Sequence, residues 1–222
     1  MVRLARSGRQ GRSTRSSGPV GGGGGGSSLE YIGSTEQAFA AAGSMTYPAG
    51  TQDGDLVIAF GIDRAIGDPA FMSAWADTKL GAGLGGFFHA WAKIVDGETA
   101  VAHIGGAGTT IGCHVYRGAA IEDITATFGQ FGTTAGFTSS MEFPSVSPAA
   151  GQYAGWAFSR TNDTPNALAW TVTPDDSGSI TTTSGNDSGT QHAVKAGDGS
   201  AFAQQNNGNY TAFFTEGMVY VL

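Results

Sequence analysis

Apolar residues alternate with polar or small residues in several short stretches of the chain. Residues 86–95 (GFFHAWAKIV) place Phe87, His89 and Trp91 on one side and Phe88 and Ala90 on the other. A period of two predicts a half-buried β-strand. Residues 152–160 (QYAGWAFSR) alternate in the same way, and residues 55–63 (DLVIAFGID) form an apolar run of strand length.

Turn signals separate these stretches. Asp96-Gly97 follows the first of them and predicts a tight two-residue hairpin into residues 98–104. The best helix candidate is residues 36–42, which Gly43 weakens. Residues 175–190 are polar and predict a loop with one short strand. Strands are further predicted at residues 29–33, 109–117, 168–173, 180–183, 210–214 and 217–222.

Many short strands with frequent turns predict an all-β fold, a two-sheet antiparallel sandwich of jelly-roll-like type. Composition agrees, because glycine contributes 37 of 222 residues and charged residues only 13%. Glycine disfavours helix interiors, whereas tight turns need it. A stretch of about 20 apolar residues, as a membrane span requires, is missing from the sequence, and no signal peptide is recognisable.

Residues 1–28 differ in composition from the rest and predict an extended N-terminal arm, with a single sandwich domain at residues 29–222. The arm ends in six glycines and two serines, a composition typical of flexible linkers. Its five basic residues recur at every third position and give it a charge of +5, whereas the remainder carries −12. They are Arg3, Arg6, Arg9, Arg12 and Arg15.

This charge asymmetry predicts that the arm binds an acidic protein surface and gains order there. Nucleic acid is a poorer match, because the arm has neither lysine nor an aromatic residue on which bases would stack. The alternative is that residues 1–28 are a solvated tail, or an upstream stretch that is not part of the working protein.

Residues with catalytic or metal-binding chemistry are present but not grouped in known motifs. His89, His103, His114 and His192 lack the close spacing of metal ligands, so we expect ordinary hydrogen-bonded histidines and no metal. Aspartates beside glycines are expected to cap turns rather than to bind Ca²⁺. The glycines of residues 81–86 match G-x-G-x-x-G but precede a strand, so we expect a turn. We predict no catalytic residue and no cofactor.

Cysteine and tryptophan positions fit the same interpretation. The only cysteine, Cys113, lies in an apolar run and is expected to be a small core side chain. Trp91, Trp156 and Trp170 lie inside predicted strands and are expected in the core. Trp75 lies in an irregular segment and is the tryptophan expected at the surface, where it would contact a glycan.

Several segments occur in an order that is familiar from one protein family. They are Tyr31-Ile32-Gly33, residues 52–60 (QDGDLVIAF), Trp75, residues 91–98 (WAKIVDGE), residues 114–118 (HVYRG) and a final C-terminal strand. This order resembles the small β-sandwich virion proteins of tailed bacteriophages, of minor tail, fibre-associated or capsid-decoration type. Where that family has a G-W-T-x-L segment, residues 74–80 read AWADTKL and depart from it.

The resemblance implies a non-enzymatic structural protein of the virion, made in the host cytoplasm. Its expected partners are other virion proteins, capsid or tail subunits, and further copies of itself. The alternative is a glycan-binding module for host attachment, using Trp75 and the polar residues 162–166 and 206–209. A third class, a hydrolase, would need two facing carboxylates, or His89 and His114 converging on a carboxylate.

Overall fold

The computed structural model describes residues 28–63, 79–82, 88–103, 108–130, 144–161, 169–181, 188–205 and 214–222. Within these residues the chain is built of antiparallel strands and one 3-10 turn at Ile121–Asp123. None of them forms a helix that is long and apolar enough to cross a membrane. The strands are β1 (Glu30–Phe39), β2 (Gly43–Thr46), β3 (Leu56–Asp63), β4 (Lys79–Ala82), β5 (Phe88–Ile94), β6 (Ala100–His103), β7 (Thr109–Arg117), β8 (Thr125–Gln130), β9 (Tyr153–Thr161), β10 (Ala169–Trp170), β11 (Asp176–Thr181), β12 (Ser188–Ala196), β13 (Gln204–Gln205) and β14 (Phe214–Val221).

Two five-stranded sheets pack face to face, which confirms the predicted all-β sandwich. The first sheet has the order β1-β7-β3-β5-β4 and the second β11-β12-β9-β14-β8. The chain completes the first sheet with residues 30–117 before it begins the second with residues 125–221. Strands of the two sheets pack against each other across the interface: β1 contacts β11, β7 contacts β12, β5 contacts β14 and β4 contacts β8.

A two-stranded ribbon accompanies each sheet, and each sheet has an apolar cluster on its outer face. Ribbon β2-β6 supplies Met45 and Val101 to the cluster that contains Trp91 and Cys113 of the first sheet. On the second sheet, Trp170 of ribbon β10-β13 packs against the outer cluster around Trp156. The central strands are therefore buried on both faces.

Strand β5 corrects two predictions. Its first five residues are all buried, so the prediction of a half-buried strand is wrong. The polar alternation is real, but ribbon β2-β6 belongs to the cluster that covers the second face. The predicted hairpin is also wrong: Gly97 does make a turn, with φ of 79°, but β6 then pairs with β2 while β5 pairs with β3 and β4.

Residues 36–42, a weak helix candidate in a chain expected to be all-β, do not form a helix: Glu36 to Phe39 continue β1 in register with β7. Other elements differ from expectation. The polar segment 175–190 is not mainly loop, since β11 and the start of β12 lie in it. Their polar residues misled the prediction because several of them face the other sheet. Strands β2, β4, β8 and β13 and most of β12 have no counterpart among the predicted strands.

The core residues expected from the sequence are confirmed where the structure describes them. Trp91 and Trp156 are 1% and 0% exposed, and Cys113 is fully buried. Trp170 is partly buried and stacks on Phe202 with ring centroids 5.2 Å apart. Trp75 lies outside the described residues.

The strands of both sheets end at two common poles about 25 Å apart, the length of an eight-residue strand. At the arm pole, Glu30 of β1 pairs with Arg117 and Leu56 of β3 pairs with Ile94. Tyr153, Ala196, Val221 and Thr125 mark the same pole in the second sheet. At the far pole the paired ends are Asp63 with Thr109, Ile62 with Phe88, Thr161 with Ser188, and Thr161 with Phe214.

Glycines inside the strands make room for rings on the neighbouring strand. Gly112 is the register partner of Phe60, and Gly155 is the partner of Tyr220. A Cβ atom at either position would collide with the ring of that partner. The high glycine content therefore serves packing as well as turns.

We predict that Gly155→Ala destabilises the domain by about 1–3 kcal/mol, the usual cost of overpacking. The measurement is urea unfolding followed by tryptophan fluorescence. The control is the double variant Gly155→Ala/Tyr220→Ala, in which the added methyl group meets no ring, so that the alanine costs clearly less than in the parent. Equal costs in the two backgrounds would contradict this packing account.

Candidate functional site

A row of polar side chains crosses the interior between the two sheets. The hydroxyl oxygens of Tyr116 and Tyr220 lie 2.7 Å apart, and the Tyr220 hydroxyl lies 2.6 Å from His114 Nδ1. His114 Nε2 lies 3.0 Å from His192 Nδ1. These four residues and Glu36 form the group that we call the polar row.

Glu36 ends the row at the outer strand β1. Its Oε2 atom lies 3.4 Å from His192 Nε2, and its Oε1 atom accepts a hydrogen bond of 3.0 Å from the backbone amide of Ser179. Gly178 makes this approach possible, because a Cβ there would collide with both His192 and Glu36. The side chain of Glu36 is 24% exposed, whereas that of His192 is only 2% exposed.

The geometry of the row determines its proton positions when both histidines are neutral. A carboxylate can only accept, so His192 carries its proton on Nε2 and its Nδ1 atom accepts from His114. His114 then accepts at Nδ1 from the Tyr220 hydroxyl. Tyr220 in turn accepts from the Tyr116 hydroxyl. The donors of Tyr116, Tyr220 and His114 then each have an acceptor, in one continuous direction. His192 Nε2 lies 3.4 Å from Glu36 Oε2 but outside hydrogen-bonding geometry.

The pKa shifts of the row favour these neutral forms. Burial, followed by the neighbouring His192, holds the pKa of His114 well below its usual value. Burial raises the pKa of Tyr220 well above the ordinary value, and Tyr116 raises it further. Burial likewise raises the pKa of the Tyr116 hydroxyl. A buried charge is costly, so His114, Tyr116 and Tyr220 remain uncharged.

Asp176 makes a second link between the sheets, beside the row. One of its oxygens, Oδ2, accepts hydrogen bonds of 2.6 Å from both the Tyr31 and the Ser34 hydroxyls. Burial opposes the charge on Asp176, but these two hydrogen bonds outweigh it and lower the pKa of the carboxyl. Burial and Asp176 raise the pKa of Tyr31.

Further polar contacts join the sheets toward the far pole. The hydroxyls of Thr110 and Thr190 are 2.5 Å apart, and Thr190 also contacts the Ser159 hydroxyl at 3.0 Å. The backbone amide of Phe88 donates to the buried carboxyl of Glu216 at 3.1 Å. Polar links thus run along much of the interface, from Tyr31 to Phe88.

This arrangement binds the sheets to each other and leaves its reactive atoms no access to a substrate. His114 is fully buried, and both of its ring nitrogens contact other side chains of the row. His89 does not converge with it, because His89 lies beside Trp91 on the other face of the first sheet. Within the described residues, no three histidine, cysteine or acidic side chains are grouped as a metal site would need.

The residues predicted as sites are only partly described. Arg3, Arg6, Arg9, Arg12, Arg15 and Trp75 lie outside the described residues, as do the polar residues 162–166 and 206–209. The expectation of turn-capping aspartates is confirmed in part: Asp53 accepts from the amide of Gly97, Asp175 from Ala196 and Asp198 from Ser200. Asp176 instead joins the two sheets through Tyr31 and Ser34. His114 is hydrogen-bonded, as expected.

The polar row is not predicted from the sequence. One signal was available, because His114 and Tyr116 are two residues apart in a predicted strand and therefore share a face. His192 lies in β12, most of which has no strand prediction. Glu36 lies in the segment that was considered for a helix.

No family model, curated protein or solved structure matches this chain.

We predict that the free energy of unfolding decreases as the pH falls below about 6.5, the ordinary pKa of histidine. The pKa of His114 is lowered in the folded state, so the unfolded chain takes up the proton first. The expected slope reaches about 1.4 kcal/mol per pH unit. Asp176, whose pKa is also lowered, contributes only below about pH 4, because its unfolded carboxyl must first take up a proton.

Urea unfolding at intervals from pH 7.5 to 5.0 measures this slope. His114→Gln, which can still accept from Tyr220 and donate to His192, should lose part of the slope. An unchanged slope in that variant would show that other groups cause the acid sensitivity.

Proposed function

We propose that this chain is a non-enzymatic structural protein of a tailed-phage virion, attached to a neighbouring capsid or tail subunit by its N-terminal arm. The proposal rests on the place where the arm joins the domain. Glu30 opens β1 at the arm pole, whereas the strand ends around Asp63, Phe88 and Thr161 lie at the far pole. Attachment at one pole leaves the other for display.

The use of reactive side chains in the interior supports the same proposal. His114, His192 and Tyr220 are 0–2% exposed and hydrogen-bonded within the polar row. Such side chains align two sheets and leave no room for a substrate. A rigid domain with a basic arm is what a subunit needs when its role is mechanical.

Replacement of the five arm arginines tests the attachment. We predict that full-length chain with all five changed to glutamine loses most of its incorporation into particles, because the arm then has no charge for an acidic partner. Incorporation is measured by quantitative mass spectrometry of particles purified from a host that supplies the variant in place of the parent. The matched control changes the same five residues to lysine, which keeps the charge.

Equal incorporation of the glutamine variant and the parent would contradict attachment by the arm. If the chain is absent from purified particles even as the parent, the virion assignment itself is wrong.

A second candidate function is glycan binding at the far pole, and one observation favours it. Thr161 precedes residues 162–168 and Phe214 follows residues 206–213. These two residues are direct register partners. Asp63, at the start of the stretch that contains Trp75, lies at the same pole. Segments with exposed aromatic and amide side chains would there present one sugar-binding surface.

We predict for this candidate that a glycan array gives specific signals with the parent and loses them with Trp75→Ala. Trp75→Phe is the matched control, because it keeps an aromatic face for stacking. The absence of any signal from the parent would remove the candidate.

A further inference from the structure

A small cleft opens at the arm pole, on the ribbon side of the first sheet. Residues 46–53 form one wall and residues 95–99 the other, and the cleft encloses about 180 Å³. This is below the roughly 300 Å³ at which small-molecule sites begin, but it accommodates the head of one side chain.

The cleft contains a buried hydroxyl without a partner. Tyr47 is 6% exposed, and its hydroxyl has no hydrogen bond among the residues that the structure describes. Burial and then the nearby charge of Glu98 raise the pKa of Tyr47. A buried hydroxyl normally has a partner, and the Tyr47 oxygen can accept a hydrogen bond from a donor that enters the cleft.

The other groups of the cleft favour a cationic donor. Glu98 lines the cleft and forms an ion pair with Lys93, with Nζ and Oε1 2.7 Å apart. Asp53 is exposed on the opposite wall and accepts from Gly97 through one oxygen, which leaves the second oxygen available to a ligand. A guanidinium matches this set best, because it donates in one plane to several acceptors and stacks on aromatic rings.

The surroundings of the cleft are strongly acidic. The described part of the arm pole has three cationic side chains, and each forms an ion pair with a carboxylate. They are Lys93, Arg117 and Lys195. This part of the pole has ten carboxylates in all: Glu30, Asp53, Asp55, Asp96, Glu98, Glu122, Asp123, Asp175, Asp176 and Asp198. This surface therefore attracts positively charged groups from outside the domain.

The five arginines of the arm are tethered at this same pole. Glu30 lies 3.7 Å from Arg117, which donates to the backbone oxygen of Gly50 at the edge of the cleft. Thirteen residues separate Arg15 from Leu29. For a glycine-rich linker of that length the root-mean-square span is about 20 Å, and the limit is about 43 Å. The cleft is within reach, at an effective concentration in the millimolar range.

We propose that, before assembly, an arginine of the chain's own N-terminal arm binds in the cleft beside Tyr47, so that the arm lies on its own acidic pole. The chain's own arm is favoured over that of a second copy because tethering exceeds the concentration of any free competitor. That a neighbouring subunit later takes the arm over rests on the proposed function; the docking itself does not.

Paramagnetic relaxation in the full chain tests the docking. A nitroxide is attached to Ser13→Cys, between two arginines of the arm. Cys113 does not interfere, because it is buried and burial raises the pKa of its thiol to about 11. We expect line broadening of the amides of residues 47–53 and 95–99, independent of protein concentration, and its loss in about 0.5 M salt.

Two pairs of charge removals locate the docking site. Asp53→Asn with Glu98→Gln should reduce the broadening about threefold, as expected for lost ion pairs. Asp175→Asn with Asp198→Asn removes the same charge from the second-sheet side of the pole, beside β12, and should leave the broadening nearly unchanged.

Equal effects of the two pairs, or broadening at both poles, would overturn the cleft as the binding site. Broadening that grows with concentration and disappears on dilution would show that the arm binds a second copy, and would overturn docking within one chain. None of these results bears on particle incorporation, so the proposed function is tested separately.

Discussion

Two glycine-rich sheets with apolar faces could pack in several alignments, because apolar contacts are not directional. The hydrogen bonds of the polar row are directional and favour one alignment. Tyr116, Tyr220, His114 and His192 contact each other in sequence across the interface, and each contact joins strands of opposite sheets. A shift of one sheet against the other would leave several buried donors without acceptors, at about 1–3 kcal/mol each. The row therefore selects one packing among many apolar ones.

The glycines are the counterpart of this row. The missing side chain of Gly155 leaves space for the Tyr220 ring. Gly178 leaves space for His192 and Glu36 in the same way. At Tyr220 and His192 the ring fits because its register partner, Gly155 or Gly178, has no side chain. The composition that first indicated turns is thus also the means by which a polar row fits into a packed interior.

The sequence was sufficient for the fold class because the strand signals are local. Strand β7 was predicted with its observed limits, Thr109–Arg117, since its apolar run ends at Gly118. The pairing of β6 with β2 was not predictable from Asp96-Gly97, because a turn does not reveal which strand lies beside the next segment. The row escaped prediction for a related reason: its members are up to 184 residues apart, as Glu36 is from Tyr220. Strand β12 gives no clear signal in the sequence because polar residues such as Thr190 and His192 face the other sheet rather than water.

The account assigns separate roles to the parts of the chain. The interior uses its reactive groups to fix the sheets, the arm pole combines the chain's entry with most of the described acidic groups, and the far pole collects strand ends. A protein of this plan holds a position and presents a surface. Its central claim is that the histidines of the polar row are sealed and structural.

Nitrogen NMR of the imidazole rings tests that claim most directly. With ¹⁵N-labelled histidine in the full chain, the account predicts that His114 is neutral at pH 7, with the proton on Nε2 and Nδ1 as the acceptor. It also predicts that the His114 signals persist as the pH is lowered until the domain unfolds. A His114 signal that titrates near pH 6.5 in the folded protein, or that averages between the two tautomers, would contradict the account.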